Sequence, residues 1–151
     1  MEVIFYVQLV LAMLLGVMLG AERTIAGKTA GMRTYALVSI GSCLLIIISK
    51  IVIGMYAAPN EADSLLRIAA GVITGVGFLG AGVIFSHETH INGLTTAAGL
   101  WIACGIGIAV GFEQYMIATF TTFLTLFTFT ALWYVEKGIR SITDHTTEKH
   151  D

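Results

Sequence analysis

The sequence predicts an all-α membrane protein, a bundle of about five transmembrane helices with a glycine-rich helix at its centre. The first observation is composition, because 56% of the 151 residues are hydrophobic and 12% are charged, whereas globular domains carry about 25% charged residues. The second is that the apolar residues form five long runs, and about 20 apolar residues in helical form cross the lipid bilayer. A soluble bundle is the alternative, but it needs polar outer faces that these runs lack.

Each run meets or approaches the length of a membrane span. The first has no basic residue before it and no small-residue cleavage pattern, so we interpret it as a retained helix rather than a signal peptide. The second contains Lys50 near its end, where the long stem can carry the ammonium group to the interface. The fourth is the shortest and the richest in small residues. In chain order the predicted spans are residues 3–21, 34–56, 68–85, 94–111 and 115–135.

Glycine faces predict how these helices pack, because helices in lipid associate through close approach at small residues. The third span has two such faces, so we place it at the centre of the bundle, and the fourth adds a further stripe. These surfaces can join helices of one chain or of two chains. The glycines assigned to helix packing are Gly71, Gly75, Gly77, Gly80, Gly82, Gly107 and Gly111.

The fifth span has two unlike sides, one of phenylalanines and one of threonines. Phenylalanine suits lipid, whereas a threonine hydroxyl can bond across a helix interface or back to its own backbone. We interpret the two sides as a lipid face and a packing face, with a threonine-lined ligand path as the alternative. The residues are Phe120, Phe123 and Phe127 on the first side, and Thr121, Thr125 and Thr128 on the second.

Lysine and arginine counts in the short loops predict the orientation. The loop after the first span and the segment after the fifth are both basic, so the N-terminus is expected outside and the C-terminus in the cytoplasm. Residues 87–93 then form a cytoplasmic turn. We divide the chain into a transmembrane domain, residues 1–136, and a short polar cytoplasmic tail, residues 137–151. The basic residues counted are Arg23, Lys28, Arg33, Lys137, Arg140 and Lys149.

Several function classes find no support. A formal net charge of −2 offers no basic stripe, so no nucleic-acid partner is expected. Residues 75–80 match the G-x-G-x-x-G dinucleotide fingerprint but lie inside a span, without the strand and the acid that the fingerprint needs. The segment from His87 to His90 is too short to complete a metal site. We therefore predict no catalytic residue, no cofactor, no metal and no enzymatic activity.

The acidic residues bear on transport. All ten map to loops, helix ends or the tail, whereas Mg²⁺ needs oxygen ligands and proton relays use buried carboxylates or histidines. A cation carrier would have to depend on backbone carbonyls, hydroxyls or rings formed in an oligomer. This distribution lowers the expectation of direct transport without removing it.

Polar residues gather at the predicted cytoplasmic edge, where the first span ends and the second and fourth begin. They can be simple membrane anchors. Alternatively, Glu22 can pair with Arg33 or Arg23 beside a fourth helix capped by Asn92 and the threonines, and form a floor that receives a partner or ligand. This polar cluster comprises Glu22, Arg23, Arg33, Thr34, Asn92, Thr95 and Thr96.

Four stretches of the chain resemble the MgtC/SapB family of bacterial membrane proteins. They are Leu-Gly-Ala-Glu-Arg at 19–23, Ala-Gly-Met-Arg-Thr at 30–34, the glycine-rich segment 75–84, and Gly-Leu-Thr-Thr-Ala-Ala-Gly-Leu-Trp at 93–101. The last adds Trp101 to the candidate cluster. The chain departs from the pattern at Asn92, where many members have a basic residue. Many members also carry a C-terminal ACT-like domain, for which the segment after Val135 is too short.

The resemblance implies a multi-pass protein of the bacterial inner (plasma) membrane that acts in growth under magnesium limitation and, in pathogens, in survival inside host cells. Some members are linked to restraint of the F-type ATP synthase. We therefore expect a non-enzymatic regulator of a membrane partner, such as an ATP synthase or a transporter, that works as a homo-oligomer or with another membrane protein. The alternatives are an oligomeric transporter or channel for Mg²⁺ or another cation, and a structural packing subunit of a membrane complex.

Overall fold

The computed structural model describes residues 2–56, 60–87 and 90–147, and this part of the chain forms five long helices and one short hairpin. Each of the five helices is long and apolar enough to cross a membrane, which confirms the predicted all-α, multi-pass fold. The elements are α1 (Glu2–Ile25), α2 (Met32–Tyr56), α3 (Glu61–Val83), β1 (Phe85–His87), β2 (His90–Asn92), α4 (Leu94–Gly111) and α5 (Tyr115–Thr147).

Most helices extend beyond the apolar runs that predict them. Helix α1 continues through Glu22 and Arg23, and α3 begins at Glu61, where acidic side chains in the first turn favour a helix N-terminus. Helix α5 runs on to Thr147, through much of the segment for which we predicted a polar tail. The apolar composition of a span ends at the membrane surface, whereas the backbone hydrogen bonds of the helix can continue beyond it. Apolar runs therefore tend to underestimate helix length.

The predicted simple turn at residues 87–93 is a two-stranded antiparallel hairpin in the structure. Phe85 pairs with Asn92 across it, and the chain then enters α4 through Gly93 in the left-handed region, with φ +90°. A Cβ on Gly93 would lie 2.0 Å from the Val83 carbonyl oxygen. Glycine is therefore required where the hairpin returns to the end of α3. Glu88 and Thr89, of the segment weighed as a metal site, lie outside the described residues.

Helix α4, not α3, occupies the centre of the single chain. It contacts all four other helices, and half of its residues are buried, against 17% for α3. The prediction of a central third helix is therefore wrong for one chain. A glycine face permits close approach but does not select which helix approaches. Among the described residues no atom lies within 4 Å of a Cβ built on these α3 glycines: Gly71, Gly75, Gly77 and Gly82.

The close packing runs instead through α1, α2 and α4. A Cβ on Gly16 would lie 2.7 Å from the Tyr35 carbonyl oxygen, and one on Gly107 would lie 2.1 Å from that of Ser39. Gly111 approaches Ile46 in the same way, at 2.8 Å from its Cβ, whereas Gly80 makes only an ordinary contact, 3.7 Å from Ala97. Three backbones thus meet along the core. The largest fully buried apolar side chains there are Tyr35, Leu19, Ile46, Leu100, Ile106 and Val110.

Helix α5 packs at the side of this core, and its predicted threonine face packs only in part, because Thr125 is buried, Thr121 is half-buried and Thr128 is exposed. The three phenylalanines at 120, 123 and 127 are exposed, which suits contact with lipid. The hydroxyl groups of Thr125 and Thr128 donate to carbonyl oxygens of their own helix, at 2.7 and 2.9 Å. These hydroxyls therefore do not bond to another helix.

Candidate functional site

A groove of about 1780 Å³ runs between α4 and α5 and reaches the C-terminal turn of α1. We call it the α4–α5 groove. Its mouth lies where α1 ends and α4 begins, and its deep end lies near Ile102 and Thr121. The polar residues at the mouth are Glu22, Arg23, Lys28, Asn92, Thr95 and Lys137.

Arg23 is the central side chain of the mouth. The residue is 3% exposed, its Nε donates to a carboxylate oxygen of Glu22, and its guanidinium carbon lies 3.7 Å from the ring centroid of Phe129. A planar guanidinium can stack on an aromatic face and keep its hydrogen-bond donors free, because the donors lie in the plane of the guanidinium and do not point at the ring. Helix α1 therefore carries a cation into the bundle, and α5 supplies the surface on which it rests.

Tyr35 and Gly99 complete the floor beneath this arginine. Tyr35 is fully buried, and its hydroxyl donates to the Thr96 carbonyl oxygen at 3.2 Å. A Cβ on Gly99 would lie 2.3 Å from the Tyr35 Oη and 2.7 Å from the Phe129 Cζ. The glycine thus makes room for both rings. Tyr35, Phe129 and Gly99 were not among the predicted site residues, although a tyrosine beside a predicted polar cluster signals a hydroxyl that needs a partner.

The N-terminus of α4 faces the same mouth. Gly93 is the N-cap residue, and no side chain bonds to the first amide groups of the helix. The predicted capping by Asn92 and the threonines is therefore wrong, because Gly93 occupies the N-cap position and Asn92 is the last residue of β2. The first N–H groups of a helix have no intrahelical acceptor and carry partial positive charge.

The structure divides the predicted polar cluster. Glu22, Arg23, Asn92, Thr95 and Thr96 line the groove, and of the two proposed partners for Glu22 the structure pairs it with Arg23. The other three members lie elsewhere. Arg33 and Thr34 are exposed at the start of α2, and Trp101 lines a smaller cavity of about 220 Å³ that shares Ile102 and Thr121 with the deep end of the groove.

Two more cations border the groove, Lys28 in the α1–α2 turn and Lys137 on α5. The Lys137 ammonium lies 5.4 Å from the ring centroid of Trp133. Within the described residues, His, Cys, Asp and Glu form no group of three that could hold a metal ion. The chemistry of the mouth is therefore that of hydrogen-bond donors and positive charge.

A second polar feature lies in the core, far from the groove. Gln8 is fully buried and its Nε2 donates to the Val110 carbonyl oxygen at 3.1 Å. Its Oε1 has no hydrogen-bond partner in the described structure, and the same is true of the Ser39 Oγ. Buried polar atoms of this kind are uncommon and call for a reason.

Comparison with known proteins gives consistent matches. Residues 9–137 match the family model described as the MgtC family. The chain is 43% identical over 122 residues to MgtC of Salmonella typhimurium LT2, covering 81% of this chain and 49% of that protein. It is 39% identical over 123 residues to YhiD of Escherichia coli K12, a candidate magnesium transporter by its name, covering 81% and 57%. The chain thus spans about half the length of these curated relatives, and no solved structure matches it.

Proposed function

This chain belongs to the MgtC family, and from that membership we propose that it acts in magnesium homeostasis as a non-enzymatic membrane protein that regulates a membrane partner. The surface involved is the one around the Glu22–Arg23 pair. In this proposal the N-terminus lies outside and the C-terminus in the cytoplasm, so that the pair faces the cytoplasmic side.

The observation that favours regulation over transport is where the polar site lies. The α4–α5 groove lies at the side of the bundle, between α4, α5 and the C-terminal turn of α1. The centre, by contrast, is filled where α1, α2 and α4 approach at Gly16, Gly107 and Gly111. A conducting path needs polar groups or water along its length, and backbones in contact leave no room for a hydrated ion within one chain.

Growth at low magnesium tests the proposal. In a strain that depends on this protein, Glu22→Gln and Arg23→Gln should abolish growth support, because each removes one half of the buried ion pair. Arg33→Gln is the matched control, since it removes a charge at the same membrane surface but outside the groove. Protein abundance in the membrane fraction is measured alongside, and Arg23→Lys keeps the charge if Arg23→Gln does not accumulate.

A flux assay on the purified protein distinguishes regulation from cation transport. Proteoliposomes that report Mg²⁺ and H⁺ together should show no movement for the native protein. The regulatory proposal fails if the native protein moves Mg²⁺ and the Glu22 or Arg23 substitutions stop that movement.

Cation transport is the second candidate, and the two unpartnered atoms in the core favour it. Gln8 Oε1 and Ser39 Oγ are buried oxygen atoms among α1, α2 and α4 that can serve as cation ligands. The E. coli relative carries a transporter name. A transporter that used these oxygens would lose Mg²⁺ flux in Gln8→Leu and Ser39→Ala. A regulator would keep its low-magnesium growth support in both variants.

A further inference from the structure

Arg23 has more hydrogen-bonding capacity than its surroundings use. It is 3% exposed, yet its partners among the described residues are one Glu22 oxygen at Nε and the Phe129 ring. The Nη groups donate no hydrogen bond to a described residue and are not among the fully buried unpartnered atoms, which is consistent with their lying where the side chain borders the α4–α5 groove. Burying a charged group without its hydrogen bonds is costly. An anionic acceptor in the groove would offset that cost.

Other positive groups converge on the same mouth. Lys28 and Lys137 border it together with Arg23, and Glu22 is the one carboxylate among the described side chains of the groove, so these side chains carry three positive charges and one negative charge, a net charge of +2. The uncapped N-terminus of α4 adds partial positive charge. The whole chain carries −2, so this concentration of positive charge is local.

Behind the mouth the groove is lined by apolar side chains and by threonines of α5. It follows α5 from Lys137 back to Thr121, a length of about 24 Å at 1.5 Å per helical residue. The hydroxyls of Thr125 and Thr128 along this wall are already bonded to their own backbone, so they have no donor left for a polar ligand. Leu124 and Ile102 line the same stretch. A ligand that fits has an anionic head and a long apolar tail.

We propose that the α4–α5 groove binds one anionic phospholipid. Its phosphate accepts hydrogen bonds from the Arg23 Nη groups and is neutralised by Lys28 and Lys137, and one acyl chain lies along α5 towards Thr121. Basic pockets between transmembrane helices are known to bind anionic headgroups in this manner. The inference rests on the groove and not on the regulatory function, so either can fail alone.

The two tryptophans of the chain allow a local test. Trp133 lines the groove, whereas Trp101 lines the smaller cavity that adjoins its deep end, and their exposed fractions are nearly equal, 50% and 51%. Full-length Trp101→Phe and Trp133→Phe proteins each retain one tryptophan. Each is placed in vesicles that contain phosphatidylglycerol or phosphatidylcholine with the same brominated acyl chains, and quenching measures which lipid is in contact. The ratio of the quenching by the two lipids is taken at one tryptophan, so differences in the depth of the two tryptophans in the membrane cancel.

We expect phosphatidylglycerol to be preferred about fivefold or more at Trp133, since one basic side chain near an anionic lipid corresponds to about a fivefold change. The preference should be smaller at Trp101, which adjoins only the deep end of the groove, at Ile102 and Thr121. Lys28→Gln and Lys137→Gln should each lower the preference at Trp133. Glu22→Gln should raise it, because it removes the competing carboxylate, and Arg33→Gln should leave it unchanged.

Equal preference at the two tryptophans would overturn the proposal, as would a preference that survives the double Lys28→Gln, Lys137→Gln substitution. Inorganic phosphate supplies the last arm. If free phosphate removes the preference at Trp133 at an ionic strength where chloride does not, the site belongs to a soluble anion and the lipid assignment is wrong.

Discussion

Replacing Gly107 by alanine tests which helix holds the centre of the bundle. The added Cβ would lie 2.1 Å from the Ser39 carbonyl oxygen, and ordinary contact begins at 3.4 Å, so α2 and α4 would have to separate by about 1.3 Å, the difference between the two distances. The obstacle is backbone, which cannot move aside by changing a rotamer. Overpacking of this kind costs about 1–3 kcal/mol, and alanine returns up to about 1 kcal/mol in helix propensity. We expect a net loss of about 1–2 kcal/mol.

Gly75→Ala is the matched control. It makes the same chemical change in α3, where no described atom lies within 4 Å of the new Cβ. The variant loses no contact and gains the helix propensity of alanine, so its stability should be unchanged or higher by up to about 1 kcal/mol.

The chain's two cysteines provide the assay. Cys43 in α2 and Cys104 in α4 are both 0% exposed, so a maleimide in mild detergent reaches them when the helices open. A loss of about 1–2 kcal/mol should raise the labelling rate about 5- to 30-fold in Gly107→Ala. If Gly75→Ala accelerates labelling and Gly107→Ala does not, α3 and not α4 holds the centre, and the reasoning is refuted.

Three further substitutions test single contacts, each measured by the same labelling rate. Tyr35→Phe removes the hydrogen bond to the Thr96 carbonyl and should cost about 1 kcal/mol; no change would mean that this carbonyl finds another donor. Gln8→Leu removes one hydrogen bond but also an unpartnered buried oxygen, so we expect a change within about 1 kcal/mol of zero, and a larger loss would show that a water or an ion occupies the site. Lys50→Gln breaks a solvent-exposed ion pair with Glu113. The substitution should lower the stability by less than about 1 kcal/mol at both low and high salt. A larger loss that depends on salt would contradict that value.

The spans were predictable from local sequence, and the boundary errors have a common cause. Helix α4 begins and ends where its apolar run does, because a hairpin and a turn stop it at both sides. Helix α5 has no such stop at Val135 and continues to Thr147. Hydropathy reports where lipid begins and ends, so it finds a helix terminus only where the two coincide.

The candidate site was predictable in part. Glu22 and Arg23 were identified because charged residues at a span end are conspicuous in an apolar sequence. Phe129 could not be, since it is one of several aromatic residues on α5 and becomes distinctive only when α1 places a guanidinium over its ring. Arg33 was included with equal reason, yet α2 leaves it exposed outside the groove.

The sequence by itself determined that this chain is a multi-pass helical membrane protein of the MgtC family. An apolar run enters lipid as a helix because its backbone hydrogen bonds form within the run. This depends only on residues that are close together in the sequence. The tertiary structure decided which glycine faces meet and which arginine is buried. In lipid no hydrophobic force ranks one small-residue face above another, so the choice of α4 over α3 came from how backbones more than 60 residues apart fit together, as Ser39 and Gly107 do.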